Sequence, residues 1–240
     1  MKPSPWERLI TRLENTFFLE VIVTLMAFIV LYIAIRSIKK EKLSFLFVVY
    51  SLSCITLFAG VNIQKFFFPL NASAMPVFTE ILNAAFAISE LSVFFIFFSK
   101  AIESKSSKKI IVSLVICFVI SIIYFILKII EPKFDVIEIR KASVVVNIVE
   151  FAALLIAILL YFIQLFTKPP TLNLIHRPSF WISSGLFIYI LVSLPLLLFS
   201  EHVLIPMNIY YLLFVFHYVS LTLLLLTISK AFLCELPITI

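Results

Sequence analysis

Apolar residues run almost unbroken through seven stretches of the chain, about 16–35, 43–63, 77–99, 109–130, 143–166, 179–200 and 205–229. Each is close to the roughly 20 residues that an α-helix needs to cross a hydrocarbon core of about 30 Å. The breaks carry helix-ending signals. Pro69 and Pro76 bracket the second break, Pro132 follows the fourth stretch, and Pro169, Pro170 and Pro178 separate the fifth from the sixth. Pro206 falls in the first turn of the seventh, where its missing N–H leaves no helical hydrogen bond unmade. Pro195 lies inside the sixth and predicts a kink. Ahead of the first stretch, Ser4, Pro5 and Glu7 form a capping box, and Trp6, Leu9, Ile10, Leu13 and Phe17 share one helical face. The pattern predicts an all-α polytopic membrane protein. An interfacial helix (1–15) leads into a seven-helix transmembrane domain (16–232) and a short cytoplasmic tail (233–240).

Composition agrees. Hydrophobic residues are 63% of the chain and charged residues 13%, with a mean hydropathy of +1.18. A soluble domain carries about 45–50% apolar and about 25% charged residues. The net charge of +6 is what basic cytoplasmic loops produce, and it gives no reason to expect a nucleic-acid partner. Cys54, Cys117 and Cys234 show no CxxC spacing and read as small core residues. The first stretch is too long for a signal peptide and lacks a small-residue cleavage site, so no cleaved leader is expected.

Charge also sets an expected orientation. The segments 36–42, 100–109 and 167–178 together with Lys230 at the C-terminal end of the seventh span hold eleven Lys and Arg residues; the segments facing the other side hold eight. The positive-inside rule then places the N-terminus outside and the C-terminus in the cytoplasm of a bacterial inner membrane.

Few strongly polar residues interrupt the spans. Glu80, Asn83, Ala87 and Glu90 are spaced three, four and three, which lays them along one stripe of the third span. Asn147 and Glu150 share a face of the fifth. Asn208, Tyr210 and Tyr211 open the seventh, and His217 follows one heptad after Tyr210. Glu20 lies near the outer end of the first span, where reaching the interface would suffice, and Asn62, Gln64 and Lys65 near that of the second. Nearly all of these fall in the outer half or at the midplane, whereas the inner half offers mainly hydroxyls such as Ser183 and Ser184. A charged side chain at a helix centre costs about 2.5–3.5 kcal/mol on insertion scales. Glu90 and Glu150 are therefore expected to face the bundle interior, with His217, Asn83 and Asn147 as candidate partners. Segregation to one half predicts a water-accessible cavity open to the outside, with Glu90, Glu150, His217, Asn83, Asn147 and Tyr210 as a ligand or proton site. Two small-residue pairs, Ala85 with Ser89 and Ala153 with Ala157, are expected to bring helices close.

No phosphate-binding loop, nucleophile elbow, zinc-protease motif or CxxC pair occurs, so an enzyme is not expected and no cofactor or metal is implied. Lys230 stands at the end of the seventh span, a poor place for a covalent chromophore. Asn71-Ala72-Ser73 matches a glycosylation sequon, relevant only in a eukaryote.

The run "RPSFWISSGLFIYI" at the start of the sixth span, an acid in the third (Glu90), another in the fifth (Glu150) and a histidine in the seventh ("FVFHYVSLTLLLL", His217) resemble small seven-helix membrane proteins of Bacteroidetes. There an amide residue follows the histidine, where this chain has Tyr218. Similar seven-helix modules serve as membrane sensors of bacterial signalling proteins. Seven spans, an outward polar cavity and the lack of a catalytic motif lead to the expectation of a receptor-like sensor or partner-binding subunit, taking a small ligand from the outer side or a membrane or cytoplasmic protein partner. A proton- or ion-coupled small-solute transporter and a structural subunit of a larger membrane complex are the alternatives. An intramembrane hydrolase using Glu90 and His217 ranks last, because no nucleophile accompanies them.

Overall fold

The computed structural model describes the backbone of residues 5–38, 43–67, 74–131, 135–167, 174–199 and 207–234. It describes the side chains of 18–38, 43–62, 77–131, 135–167, 174–199 and 212–234. Tyr210, Asn208, Gln64, Lys65 and Pro206 have side chains or placements outside the described residues, as do the apolar face of residues 6–17 and the tail after Cys234.

Seven helices form, each holding one predicted span: α1 (Pro5–Ser37), α2 (Ser44–Phe67), α3 (Ala74–Ala101), α4 (Lys105–Ile130), α5 (Val136–Thr167), α6 (Pro178–Phe199) and α7 (Met207–Phe232). A 3₁₀ turn, Leu174–His176, precedes α6. All seven are long and apolar enough to cross a membrane, and the protein is an all-α, multi-pass membrane protein. The amphipathic segment ahead of the first span is continuous with it, because α1 runs unbroken from Pro5 to Ser37.

Two helices begin earlier than their hydrophobicity indicates, each behind a polar cap. The Ser107 backbone N–H donates to the Ser104 hydroxyl at 3.4 Å, so α4 starts at Lys105. The Ile137 N–H donates to Asp135 Oδ1 at 2.8 Å, so α5 reaches back to Val136. Both caps satisfy amides that a helix's first turn leaves without intrahelical partners. Extending α5 turns Arg140 from a loop residue into a helical one.

The helices pack as a closed ring of six in the order α1, α2, α3, α5, α6, α7, with α7 returning to α1. The fourth helix stands outside this ring, mainly against α5. Its outward residues, among them Ile116, Ile120 and Leu127, are more than half exposed, as lipid-facing side chains must be. Cys117 is exposed on this helix, so it is no core residue, whereas Cys54 is buried.

One end of the ring carries the N-terminus and the α2–α3, α4–α5 and α6–α7 connections; the opposite end carries α1–α2, α3–α4, α5–α6 and the C-terminus. These are called the N-terminal and C-terminal faces below. The C-terminal half is filled. Val30, Ala34, Phe47, Phe97, Ile158, Ile182, Leu186, Leu225 and Ile228, drawn from all six ring helices, are all fully buried. Phe47 sits edge-on to Phe94, Phe97 and Phe232, with ring centroids 6.4, 6.2 and 5.7 Å away. Polar clamps hold the margin. Gln164 of α5 donates from Nε2 to the Ala101 carbonyl at 3.2 Å and accepts from the Glu103 N–H at 2.8 Å, pinning the α3–α4 turn. Tyr161 donates to Ser179 Oγ at 2.9 Å, joining α5 to α6.

Small residues set the close approaches, though only one expected pair does so. Ala153 and Ala157 are buried. Ala85 is exposed, and the buried small residues of α3 are Ala84 and Ala87, because the buried face of α3 follows the polar stripe. Ser89 hydrogen-bonds Ser53 of α2 instead. On α6, Gly185 lies directly against Thr227 of α7.

Candidate functional site

The N-terminal half of the ring is not filled. It encloses a cavity of about 490 Å³, within the range of about 300–1,000 Å³ of small-molecule sites. Every ring helix contributes to its wall, each through the segment nearest the N-terminal face. From α3 come Glu80, Asn83, Phe86 and Glu90, the stripe read from the three-four-three spacing. From α5 come Arg140, Asn147, Glu150 and Phe151. Tyr189 and Ser193 project from α6, and Phe214, His217 and Tyr218 from α7; α1 and α2 add Glu20 and Phe58. Five of the six expected site residues therefore meet in one cavity: Glu90, Glu150, His217, Asn83 and Asn147. Tyr210, the sixth, has its side chain outside the described residues.

Depth grades the polarity. Arg140 is exposed at the rim, and Glu80, Asn83 and Asn147 are half-buried below it. Glu90 and Glu150, fully buried, form the floor. The Tyr50 hydroxyl of α2 donates to Glu90 Oε1 at 3.0 Å, and the Glu90 carboxyl lies beside that of Glu150. Two oxygens at this floor, Glu90 Oε2 and Glu150 Oε1, are buried with no hydrogen-bond partner other than the neighbouring acid. Ser44, Ser51, Ser143, Ser183 and Asn62 also bury a side-chain oxygen without a partner, but only at Glu90 and Glu150 do such oxygens belong to acids at the end of the cavity, and these two carry the ligand-site argument. Beneath them the filled half begins: Phe94 and Leu154, one helical turn further along α3 and α5, are fully buried, and Phe94 stacks edge-on to Tyr50 at 5.2 Å.

Partners differ from those expected. His217 engages Ser193, with Nδ1 and Oγ 2.8 Å apart, and its ring lies 5.6 Å from that of Tyr189. It is therefore a link between α6 and α7, and it is not the partner found for Glu90. Glu90, Glu150 and His217 do not form a three-ligand cluster; among the described residues no group of three His, Cys, Asp or Glu is placed to hold a metal ion.

Among the wall residues not anticipated are Glu20, Tyr189, Ser193, Tyr218 and Arg140. Glu20 is buried, and the Tyr218 hydroxyl donates to its Oε1 at 3.1 Å, joining α7 to α1 and closing the ring. An interfacial position for Glu20 fails because α1 continues beyond the apolar span and α7 covers it there. The same bond accounts for Tyr218: its hydroxyl is spent within the protein, on a helix face where a ring also packs against Phe58 at 5.9 Å.

Comparison with protein families, with curated proteins and with solved structures finds no match.

Proposed function

We propose that the protein is a receptor-like membrane subunit that takes a small ligand into the cavity at its N-terminal face and presents the occupied state to a protein partner. The N-terminal face then lies outside a bacterial cytoplasmic membrane and the C-terminal face inside, the orientation favoured by the eleven-to-eight distribution of Lys and Arg. The observation that carries this reading is the blind end of the cavity. Its polar walls stop at Glu90 and Glu150, and fully buried aromatic and aliphatic side chains from every ring helix occupy the space beyond. A transporter also shows one mouth in each of its states, but its path needs polar groups on both sides of the midplane to open onto, and here the far half is packed mainly with buried aromatic and aliphatic side chains.

The buried acids Glu90 and Glu150 favour one competitor, a proton-linked transporter, since intramembrane carboxyls are the usual parts of proton relays. Flux separates the two. In proteoliposomes, a panel of small organic cations, anions and neutral solutes is expected to cross no faster than through protein-free vesicles, with or without a pH gradient. At least one panel member is expected to raise the melting temperature of the protein. Protein-dependent flux would overturn the receptor reading in favour of transport, and no stabilising solute in a broad panel would favour a structural subunit.

A further inference from the structure

We infer that the cavity takes an organic ammonium ion, with its charged nitrogen at Glu90 and Glu150 and its apolar body against the aromatic wall. This rests on the cavity being a ligand site and adds the chemical class of the ligand.

Charge comes first. Among the described lining residues are four acids, Glu20, Glu80, Glu90 and Glu150, against one arginine, Arg140, and one histidine, His217, whose Nδ1 is engaged by Ser193. The arginine is at the exposed rim, so the deep end holds no lysine or arginine among the described residues. A cleft lined by one sign of charge between low-dielectric walls concentrates ions of the opposite sign.

Hydrogen-bond chemistry narrows the class. Glu90 Oε2 and Glu150 Oε1 have no hydrogen-bond partner beyond the neighbouring acid, with which a single shared proton is the one donor, and their side chains are 0% and 2% exposed. They sit on neighbouring helices, with their carboxyls side by side. A primary ammonium group presents three N–H donors and no acceptor. It can donate to both acids at once in place of the proton they share, and it brings a positive charge that no lysine or arginine supplies at the deep end. A hydroxyl has one hydrogen to give and no charge. A carboxylate or phosphate would set its own charge against two acids.

The wall matches the rest of such a molecule. Phe58, Phe86, Phe151, Tyr189, Phe214 and Tyr218 line the same cavity as the acids. Aromatic faces attract cations and pack against apolar carbon alike. The ligand expected is therefore an amine carrying an aryl or alkyl body, not a bare metal ion or a polyol.

The test uses the full-length protein in lipid nanodiscs, titrated calorimetrically with three probes of one shape: 4-phenylbutylamine, 4-phenylbutanol and 4-phenylbutyrate, each corrected with empty nanodiscs. The amine is expected to bind about tenfold or more tightly than the alcohol, the gain expected of charge-assisted hydrogen bonds, and the butyrate most weakly. Glu90→Gln and Glu150→Gln are each expected to bring the amine down toward the alcohol while leaving the alcohol unchanged. The ranking of the three probes on the unmodified protein decides the matter even if a variant does not fold. Equal binding of amine and alcohol, stronger binding of the butyrate, or no binding of any probe would overturn the inference. A cysteine at Asn83, exposed to a charged thiol reagent in the same nanodiscs, tells the two failures apart. Labelling without amine preference removes the ammonium assignment alone; protection of that cysteine removes the ligand cavity with it.

Discussion

Replacing Phe47 by alanine is expected to destabilise the protein by about 3–5 kcal/mol, the cost typical of emptying a buried aromatic site. The size of the effect follows from position. Phe47 is fully buried and touches three further rings edge-on, two on α3 and one on α7. Each such pair contributes about 0.5–1.5 kcal/mol beyond area burial. Its neighbours cannot collapse into the gap, because Phe94 and Phe97 are already committed, to Tyr50 and Phe98 respectively. Phe47→Leu, which keeps most of the volume, is expected to cost much less. Unfolding of the two variants in nanodiscs, followed by tryptophan fluorescence, checks this. A Phe47→Ala protein within about 1 kcal/mol of the original would show that the C-terminal half is not packed as described, and would take the floor of the cavity with it.

Gly185→Ala is the second large effect, and here the fault is excess volume. A Cβ at this position would collide with Thr227 Oγ1 and stand 2.9 Å from Thr227 Cβ. Turning the hydroxyl away does not relieve the second contact, and it breaks the bond that Oγ1 donates to the Leu224 carbonyl at 2.8 Å. The helices α6 and α7 must therefore separate, and a forced methyl in a packed interior costs about 1–3 kcal/mol. Because α6 and α7 also carry the Ser193–His217 contact, the change is expected to disturb the cavity wall as well. Thr227→Gly in the same chain removes both clashing atoms and is expected to restore most of the loss; Thr227→Ala, which keeps the Cβ, restores less. The double-mutant cycle reads this directly. An additive cycle would mean that Gly185 does not depend on Thr227.

These two sites show why the sequence reveals some of the fold and conceals the rest. The seven spans are legible because hydrophobicity is a local property, and each helix matches its span to within a few residues on most ends. Glu90 and Glu150 are legible because an acid within a span has few places to go. The exclusion of α4 from the ring left a trace too. Its mean hydropathy is 3.2, against 2.0–2.6 for the other six spans, as befits a helix with lipid on most sides. What the sequence hides depends on rotation and pairing between helices. A tyrosine in an apolar run is equally at home in a core, a cavity wall or an interface, so Tyr50, Tyr189 and Tyr218 give no signal until their neighbours are in place. Glu20 was misplaced because distance from the end of a span is a poor guide to depth when the helix itself continues. His217 was legible as a site residue, yet its partner Ser193 was one hydroxyl among many.

The central claim is that the cavity has a single mouth, on the outer side, and a dry floor. Thiol accessibility tests it most directly. In a chain lacking Cys54, Cys117 and Cys234, single cysteines are placed at Asn83 and Asn147 in the cavity and at Leu225 in the filled half. Intact cells are then treated with an impermeant thiol reagent. The account predicts labelling at 83 and 147 from outside, and none at 225 from either side when inverted membrane vesicles are treated in the same way. Labelling of 83 and 147 only in the inverted vesicles would contradict the orientation, and labelling of 225 would contradict the blind end on which the receptor reading depends.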